Sequence, residues 1–444
     1  MNEIKKSLDK IVGAELYHTQ LECGLNAYFV PLHRDINFKL CHLFTRFGSI
    51  DEKFYSPKDE KEIIIENGTA HFLEHCSFYT PDSKKVLKLF SDKGVYANAW
   101  TSNDHTTYYF HTVGRIYSCL DLLINFVSTP GLTSENVEKE KKVITQEIAI
   151  SLDEPWQLQW FNIDSSLFKK HPLRKNILGD KKSIQRIDKD MLLSAYTTFY
   201  APSNLHLVMF IPVKSGSTEN VAKRHFETAE NICDKYNFEY KKPVEYIRIK
   251  EPKKVKCRKK IGYHNSIGTP IITFGFKGAM GLGTPSVMTK NMLTNKLLMK
   301  VLTSGSSKAI EKLMKKSPVL GNIYGNSSFG RTFNALYFIA QTSTPDAFEE
   351  ELIKTISSEL KGNLSRQNFE LAKKMFLKEK AILTEAQLPD TIGSDFVKNL
   401  AADLNPLQTL ETLASIRYED ILEAGNKYLT LDNYSTAILL PKKQ

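Results

Sequence analysis

Apolar and polar residues alternate through Leu25 to Pro31 and again through Phe38 to Phe47, a period of two that predicts two half-buried strands paired with each other. Beyond them the spacing lengthens to a helical period around His71, then through Ser83 to Asp92, before strands return at Tyr96 to Ser102 and Thr107 to Thr112. Helices dominate the next stretch: Ile116 to Ser128, Ser134 to Leu152, Trp156 to Phe168 and Lys189 to Phe199 each mix apolar and charged positions at helical spacing. A strand at Leu205 to Ile211 and a helix from Thr218 to Cys233 close the first half. The second half reads as a strand (Pro270 to Phe276), helices (Val287 to Leu302, Ser306 to Lys315), a strand (Leu336 to Thr342), helices (Ala347 to Leu360, Arg366 to Glu385, Tyr418 to Tyr428) and a last strand (Tyr434 to Leu440). The order of elements thus recurs, although no internal sequence identity is visible.

Between the halves, Lys241 to Lys260 carries two prolines, many lysines and arginines and poor periodicity, and reads as an extended basic linker whose charge is mainly solvated. This divides the 444 residues into an N-terminal domain at 1–240, a linker at 241–260 and a C-terminal domain at 261–444. The formal charge of +10 changes little, because the basic residues are spread widely and no nucleic-acid-binding signature accompanies them; nucleic acid is not expected as a partner. No apolar run has the length of a membrane span and none follows the basic start as in a signal peptide, so no integral membrane segment and a cytoplasmic location are expected. The six cysteines lack C-x-x-C spacing, which argues against a disulfide framework or a structural zinc knot. Cys76, next to a candidate ligand, reads as a small buried residue and not a ligand.

Candidate chemistry centres on His71-Phe72-Leu73-Glu74-His75. On a helix, residues at i, i+3 and i+4 share a face, so two imidazoles converge and one carboxylate sits beside them, an arrangement suited to catalytic zinc. Asn67 is a candidate cap for this helix. A chain of this composition contains H-x-x-E-H by chance roughly once in fifty tries, so a surface helix with two accidental histidines has to be weighed until a third ligand is found. The helix Ser134 to Leu152, with Ser134 as its cap, supplies Glu140 and Glu147 two turns apart on one side. A solvated charged face is the plain reading. Flanked by Ile144, Ile148 and Ile150, however, the Glu147 carboxylate looks too apolar in its setting to lack a cation, and it is preferred as the third metal ligand. Glu74, not needed as a ligand, suits a general base and acid.

These residues resemble the pitrilysin/insulinase family of inverted-motif zinc peptidases, with Glu147 placed 76 residues after His71. Asn67-Gly68-Thr69-Ala70, Gly94 to Ser102, Thr106 to Phe110, Glu138 to Lys141, His171-Pro172 and Phe199 to Leu205 also resemble family segments in order, so the likeness covers about residues 15 to 235. It implies an α+β fold of two related α/β domains, each a mainly antiparallel sheet flanked by helices, the second domain inactive. It implies one Zn2+ per chain on His71, His75 and Glu147, Glu74 as the catalytic residue, and Glu140 orienting a ligand or balancing charge. It further implies that Asn98 and Ala99 bind a peptide substrate added to their strand; Trp100 reads as packing.

The implied activity is endopeptidase cleavage of short or unfolded peptides, such as leaders, pro-peptides or signal fragments. The half-length form resembles the zinc-bearing subunit of mitochondrial and bacterial processing peptidases. A homologous zinc-free partner subunit in a heterodimer is expected, or else a homodimer. The second half departs from the family: the arginine and tyrosine that help bind substrate are not matched in Lys312 to Gly325, where Lys315 falls at the arginine position, and Tyr324 and Arg331 are candidate substitutes. The alternative is a non-catalytic peptide-binding or assembly subunit.

Overall fold

The computed structural model describes residues 1–56, 60–238, 242–278, 283–305, 307–386 and 389–442. Tyr240, Lys241, Ser306 and Gln444, where parts of the sequence reading begin or end, lie outside the described residues.

Among the described residues, ten strands supply the first unit: β1 (Lys5–Leu8), β2 (Glu15–Gln20), β3 (Asn26–Leu32), β4 (Lys39–Thr45), β5 (Lys53–Ser56), β6 (Lys61–Ile64), β7 (Tyr96–Thr101), β8 (Thr106–Thr112), β9 (Leu205–Pro212) and β10 (Glu245–Tyr246). Seven form one sheet in the order β1-β2-β3-β9-β4-β8-β7, and three a small sheet in the order β10-β5-β6. The predicted pairing of β3 with β4 is corrected here, because β9 lies between them, parallel to β3 and antiparallel to β4. The reason is in β9 itself. All eight of its residues are buried, and a continuous apolar run belongs in the middle of a sheet covered on both faces.

One face of that sheet sends Phe29, Cys41, Leu43, Tyr108 and Phe110 into a single apolar core. Helices α1 (Thr69–Ser77), α2 (Val86–Ser91), α3 (Tyr117–Ser128) and α4 (Ser134–Leu152) follow the early strands, and α4 supplies Val137, Ile144 and Ile148 to the same core. After α5 (Pro155–Leu167), which belongs to the other unit, α6 (Lys181–Arg186), α7 (Lys189–Phe199) and α8 (Thr218–Lys235) return to the first.

The second unit holds β11 (Lys259–His264), β12 (Ile271–Lys277), β13 (Tyr324–Phe329), β14 (Asn334–Gln341) and β15 (Tyr434–Pro441) in the order β11-β15-β12-β14-β13. Its helices are α9 (Pro285–Leu302), α10 (Lys308–Lys316), α11 (Pro345–Ser358), α12 (Arg366–Ala386), then, beyond α13 (Pro389–Ala401), α14 (Thr409–Ser415) and α15 (Tyr418–Tyr428). The recurrence read from element order becomes concrete in the sheets. β3-β9-β4-β8-β7 and β11-β15-β12-β14-β13 have one topology, a parallel pair at one side followed by antiparallel pairs throughout. The chain is α+β, two related units with mainly antiparallel sheets and helices against them.

The units are not continuous in sequence. The first comprises Met1–Ile148, Asn176–Arg248 and Leu383–Ala401, and the second Ala149–Lys175, Ile249–Ile382 and Ala402–Gln444. Within the span read as a basic linker, β10 pairs with β5 and β11 begins at Lys259. There Glu251 is also buried. Its carboxylate accepts hydrogen bonds from the backbone N–H groups of Lys169, Lys170 and His171 and pairs with Lys277 at 2.6 Å. The charges of this stretch are therefore partly structural, and removing one member of such a buried pair costs about 3–5 kcal/mol.

Candidate metal and active site

Helix α1 carries the motif, and its start is set by glycine. Gly68 is the N-cap with φ +91°, and a Cβ there would lie 2.7 Å from the Leu178 carbonyl oxygen. Only a residue without a side chain takes that left-handed conformation against so close a backbone. Asn67, expected to cap the helix, instead donates its Nδ2 to the Asn176 carbonyl at 3.0 Å. The cap of α4 also moves by one residue: Thr133 Oγ1, not Ser134, accepts the Asn136 N–H at 3.1 Å. On α1, Phe72, Leu73 and Cys76 are fully buried in the core, which turns His71, Glu74 and His75 toward α4 and the edge of the sheet. Burial raises the Cys76 thiol well above its usual range, as expected of an inert core residue.

The predicted residues come together. His71 Nε2 lies 3.5 Å from Glu147 Oε1 and His75 Nε2 lies 3.3 Å from Glu147 Oε2. One ligand atom from each of the three residues falls within 4.8 Å of the others, a convergence compatible with one small cation. Donor chemistry fits zinc: two imidazole nitrogens and a carboxylate are a catalytic ligand set, one short of four. The imagined apolar setting of Glu147 needs correction, because its side chain is 42% exposed and Ile150 faces solvent. Its position two turns from Glu140 on α4 brings it to the histidines; desolvation does not.

Electrostatics mark the cluster as a place for positive charge. The Glu147 carboxyl is held far below its usual range by its hydrogen bond with His71, then by that with His75. Desolvation pulls the His75 imidazole down, but hydrogen bonds to Glu140 and Glu147 outweigh it and raise the group to about 10. Glu140 is nearly buried and uses both oxygens, Oε2 at 2.9 Å from His75 Nδ1 and Oε1 accepting the Tyr79 hydroxyl at 2.7 Å. Glu74 stands apart from the three and is buried. Burial raises its carboxyl, against the opposing pull of His71, and Thr101 Oγ1 donates to its Oε2 at 2.6 Å.

Thr101 ends β7, the edge of the seven-stranded sheet, which pairs only with β8 among the described residues. Ala97 and Ala99 pack on the core while Tyr96 and Asn98 are exposed, so alternation puts Thr101 on the α1 side. Asn98 Oδ1 accepts the Ala99 N–H at 2.9 Å, and its Nδ2 donates to the Tyr96 hydroxyl at 3.0 Å. Asn98 and Ala99 thus lie on the same edge strand that supplies the partner of Glu74. Trp100 is half-buried, with Nε1 3.3 Å from His105 Nε2 and its ring against Tyr109, in keeping with packing. Sequence reasoning assigned no role to Thr101 or Tyr79. Period-two alternation through β7 was a signal for the first; the second had none.

The sequence matches the family model for insulinase (peptidase family M16) over residues 58–181 and that for the peptidase M16 inactive domain over residues 186–376. It is 30% identical over 441 residues to the uncharacterized zinc protease YmfH of Bacillus subtilis, covering 96% of this chain and 97% of that one. It is 31% identical over 169 residues to the mitochondrial-processing peptidase subunit beta of Lentinula edodes, covering 36% of each. Among solved structures, an M16-like peptidase from Alicyclobacillus acidocaldarius has the same fold at a TM-score of 0.86 and 24% identity, over 100% of this chain and 99% of that one. Pitrilysin matches at a TM-score of 0.75 and 14% identity, over 100% of this chain and 47% of its own. With a near full-length zinc protease relative at this identity and both family models in order along it, the chain belongs to peptidase family M16, the insulinase family.

Proposed function

We propose that the chain is a zinc endopeptidase for short or unfolded peptides, with His71, His75 and Glu147 holding the ion and Glu74 moving the proton. The observation that carries this reading is the convergence of those three ligand atoms beside a buried Glu74 at an open sheet edge. Zinc, when bound, lowers the pKa of a coordinated water from about 16 toward 7 and polarises a carbonyl. Thr101 fixes Glu74 Oε2 and so leaves Oε1 to take a proton from the attacking water and pass it to the leaving amine. Asn98 and Ala99 present the backbone of β7 to an extended peptide, which adds as a further strand with little demand on its sequence.

Glu74→Gln is the direct test: zinc content stays at one per chain and cleavage of fluorogenic peptides falls at least a hundredfold. Retained cleavage by that variant sinks the assignment. We also read the chain as the metal-bearing member of a dimer, with a homologous zinc-free subunit or with its own copy, since one relative is named as a subunit. The free cysteines of the chain suit the reducing cytoplasm.

A second reading, a non-catalytic peptide-binding or assembly subunit, draws on Lys315, which stands where the family likeness places an arginine and is a surface residue paired with Glu311. Assays of the chain alone and mixed with a homologous partner separate the two. Bound zinc without cleavage in either mixture favours the second.

A further inference from the structure

We infer that Tyr79 is a positioning residue for the metal centre, acting through Glu140 on His75; the inference rests on the reading of His75 as a ligand. Glu140 is nearly buried and has two carboxylate oxygens to satisfy. Oε2 faces His75 Nδ1 at 2.9 Å and Oε1 accepts the Tyr79 hydroxyl at 2.7 Å. A carboxylate held at one oxygen can still rotate about its last bond; held at both, it cannot. The imidazole therefore meets an acceptor fixed in direction, which keeps a proton on Nδ1 and turns Nε2 toward Glu147, 3.3 Å away.

Tyr79 is itself anchored independently of Glu140. It follows the C-cap of α1, Phe78; its N–H bonds to the Cys76 carbonyl at 3.2 Å, and its carbonyl accepts the Gly131 N–H at 2.7 Å. Gly131 is pressed against it so closely that a Cβ there would lie 2.8 Å from Tyr79 Cβ and 2.4 Å from the Thr80 carbonyl oxygen. Because Gly131 lies just before α4, the turn that launches the carboxylate-bearing helix is clamped to the residue that holds the carboxylate. The phenol is also the right kind of donor. It satisfies Oε1 without itself adding a positive charge, where an ammonium group in its place would pair with the carboxylate directly and offset the charge that His75 meets.

The experiment is a double-mutant cycle on the full chain, read by Zn2+ dissociation constants from competition with a chromophoric chelator, with thermal unfolding of the metal-free proteins alongside. Tyr79→Phe, which removes only the hydroxyl, weakens Zn2+ binding about tenfold, and Glu140→Gln does so at least as much. A third variant, Glu140→Ala, leaves the Tyr79 hydroxyl no carboxylate to hold, so adding Tyr79→Phe to Glu140→Ala weakens binding no further. An unchanged constant in Tyr79→Phe overturns the inference, as does an equal loss in both backgrounds, and so does lowered metal-free stability with unaltered Zn2+ affinity. If the unsubstituted chain takes up no Zn2+, the failure belongs to the metal-site reading and the role of Tyr79 falls with it. Tight binding by the unsubstituted chain and by Tyr79→Phe alike removes the inference alone.

Discussion

A hydroxyl that touches the proposed base without touching a metal ligand offers the cleanest separation of roles. Thr101→Val keeps the shape of β7 and removes the donor to Glu74 Oε2. Hydrogen bonds to charged groups contribute about 1.5–3 kcal/mol, so turnover is expected to fall about ten- to a hundredfold, with zinc content unchanged. Loss of zinc in this variant would place Thr101 among the determinants of metal binding instead. A residue of the second unit gives a pH dependence of its own. The Asp164 carboxyl is pushed up to about 7 by desolvation, against the hydroxyl that Tyr337 donates to it at 2.6 Å. An acid whose folded pKa is raised binds its proton more tightly when folded, so its contribution to stability falls as pH climbs from about 4 to about 7 and is flat above. Asp164→Asn, which can still accept from Tyr337, is expected to reduce that fall; urea midpoints of the two proteins, compared from pH 4 to 8, check it. Legibility at this scale followed spacing. His71, Glu74 and His75 lie within one helical turn, and Glu140 and Glu147 two turns apart on another helix, so sequence alone could group them. Thr101 and Tyr79 meet their partners across 27 and 61 residues, distances that no local pattern encodes.

Long apolar elements were readable and short polar ones were not. α7 and α15 run exactly where their periodicity ends, whereas β1 is exposed at every position and β6 nearly so, leaving no alternation to detect. α13 escaped as well, and it covers an unusual surface. On β4, His42 is fully buried, stacked on Tyr109 at 5.0 Å, with no hydrogen-bond partner for either ring nitrogen among the described residues. Burial pushes its imidazole down to about 3, so the ring stays neutral and serves as packing. Gly393 of α13 lies directly over it: a Cβ there would be 2.1 Å from His42 Nε2. Phe396 meets Phe210 edge-on at 5.5 Å, and Arg46 donates to the Leu400 carbonyl at 2.9 Å near the end of the helix. Because glycine is a poor helix former, its presence mid-helix needs such a close approach to explain it. Gly393→Ala should therefore destabilise the first unit by about 1–3 kcal/mol, despite alanine's higher helix propensity. Increased stability, measured by denaturant unfolding, would show that the ring moves aside freely.

At the scale of the whole molecule, the division that matters physically is the exchange of segments between the two units. Residues 149–175 come early in the chain yet pack with the second unit, where Gln159 Nε2 donates to Thr273 Oγ1 at 2.9 Å and to the Ala437 carbonyl at 2.8 Å. Residues 383–401 come late and pack with the first, over His42. Composition could suggest a boundary near the basic stretch at 241–260, but a charge run reports solvation and prolines, and neither says which sheet a distant helix will cover. Two separate polypeptides, 1–240 and 261–444, would each lack a helix that buries part of its sheet and each carry one with nothing to bury against. Exposed apolar sheet of this kind aggregates, so each fragment expressed alone should be largely insoluble. Fragments exchanged according to packing cannot be made from one cut, but co-expression of 1–240 with 241–444, which keeps β10, Glu251 and the start of β11, restores every missing partner, and Zn2+ binding should return with solubility. A soluble 1–240 fragment with full Zn2+ affinity would mean that α13 is dispensable and that the first unit is complete without its late segment.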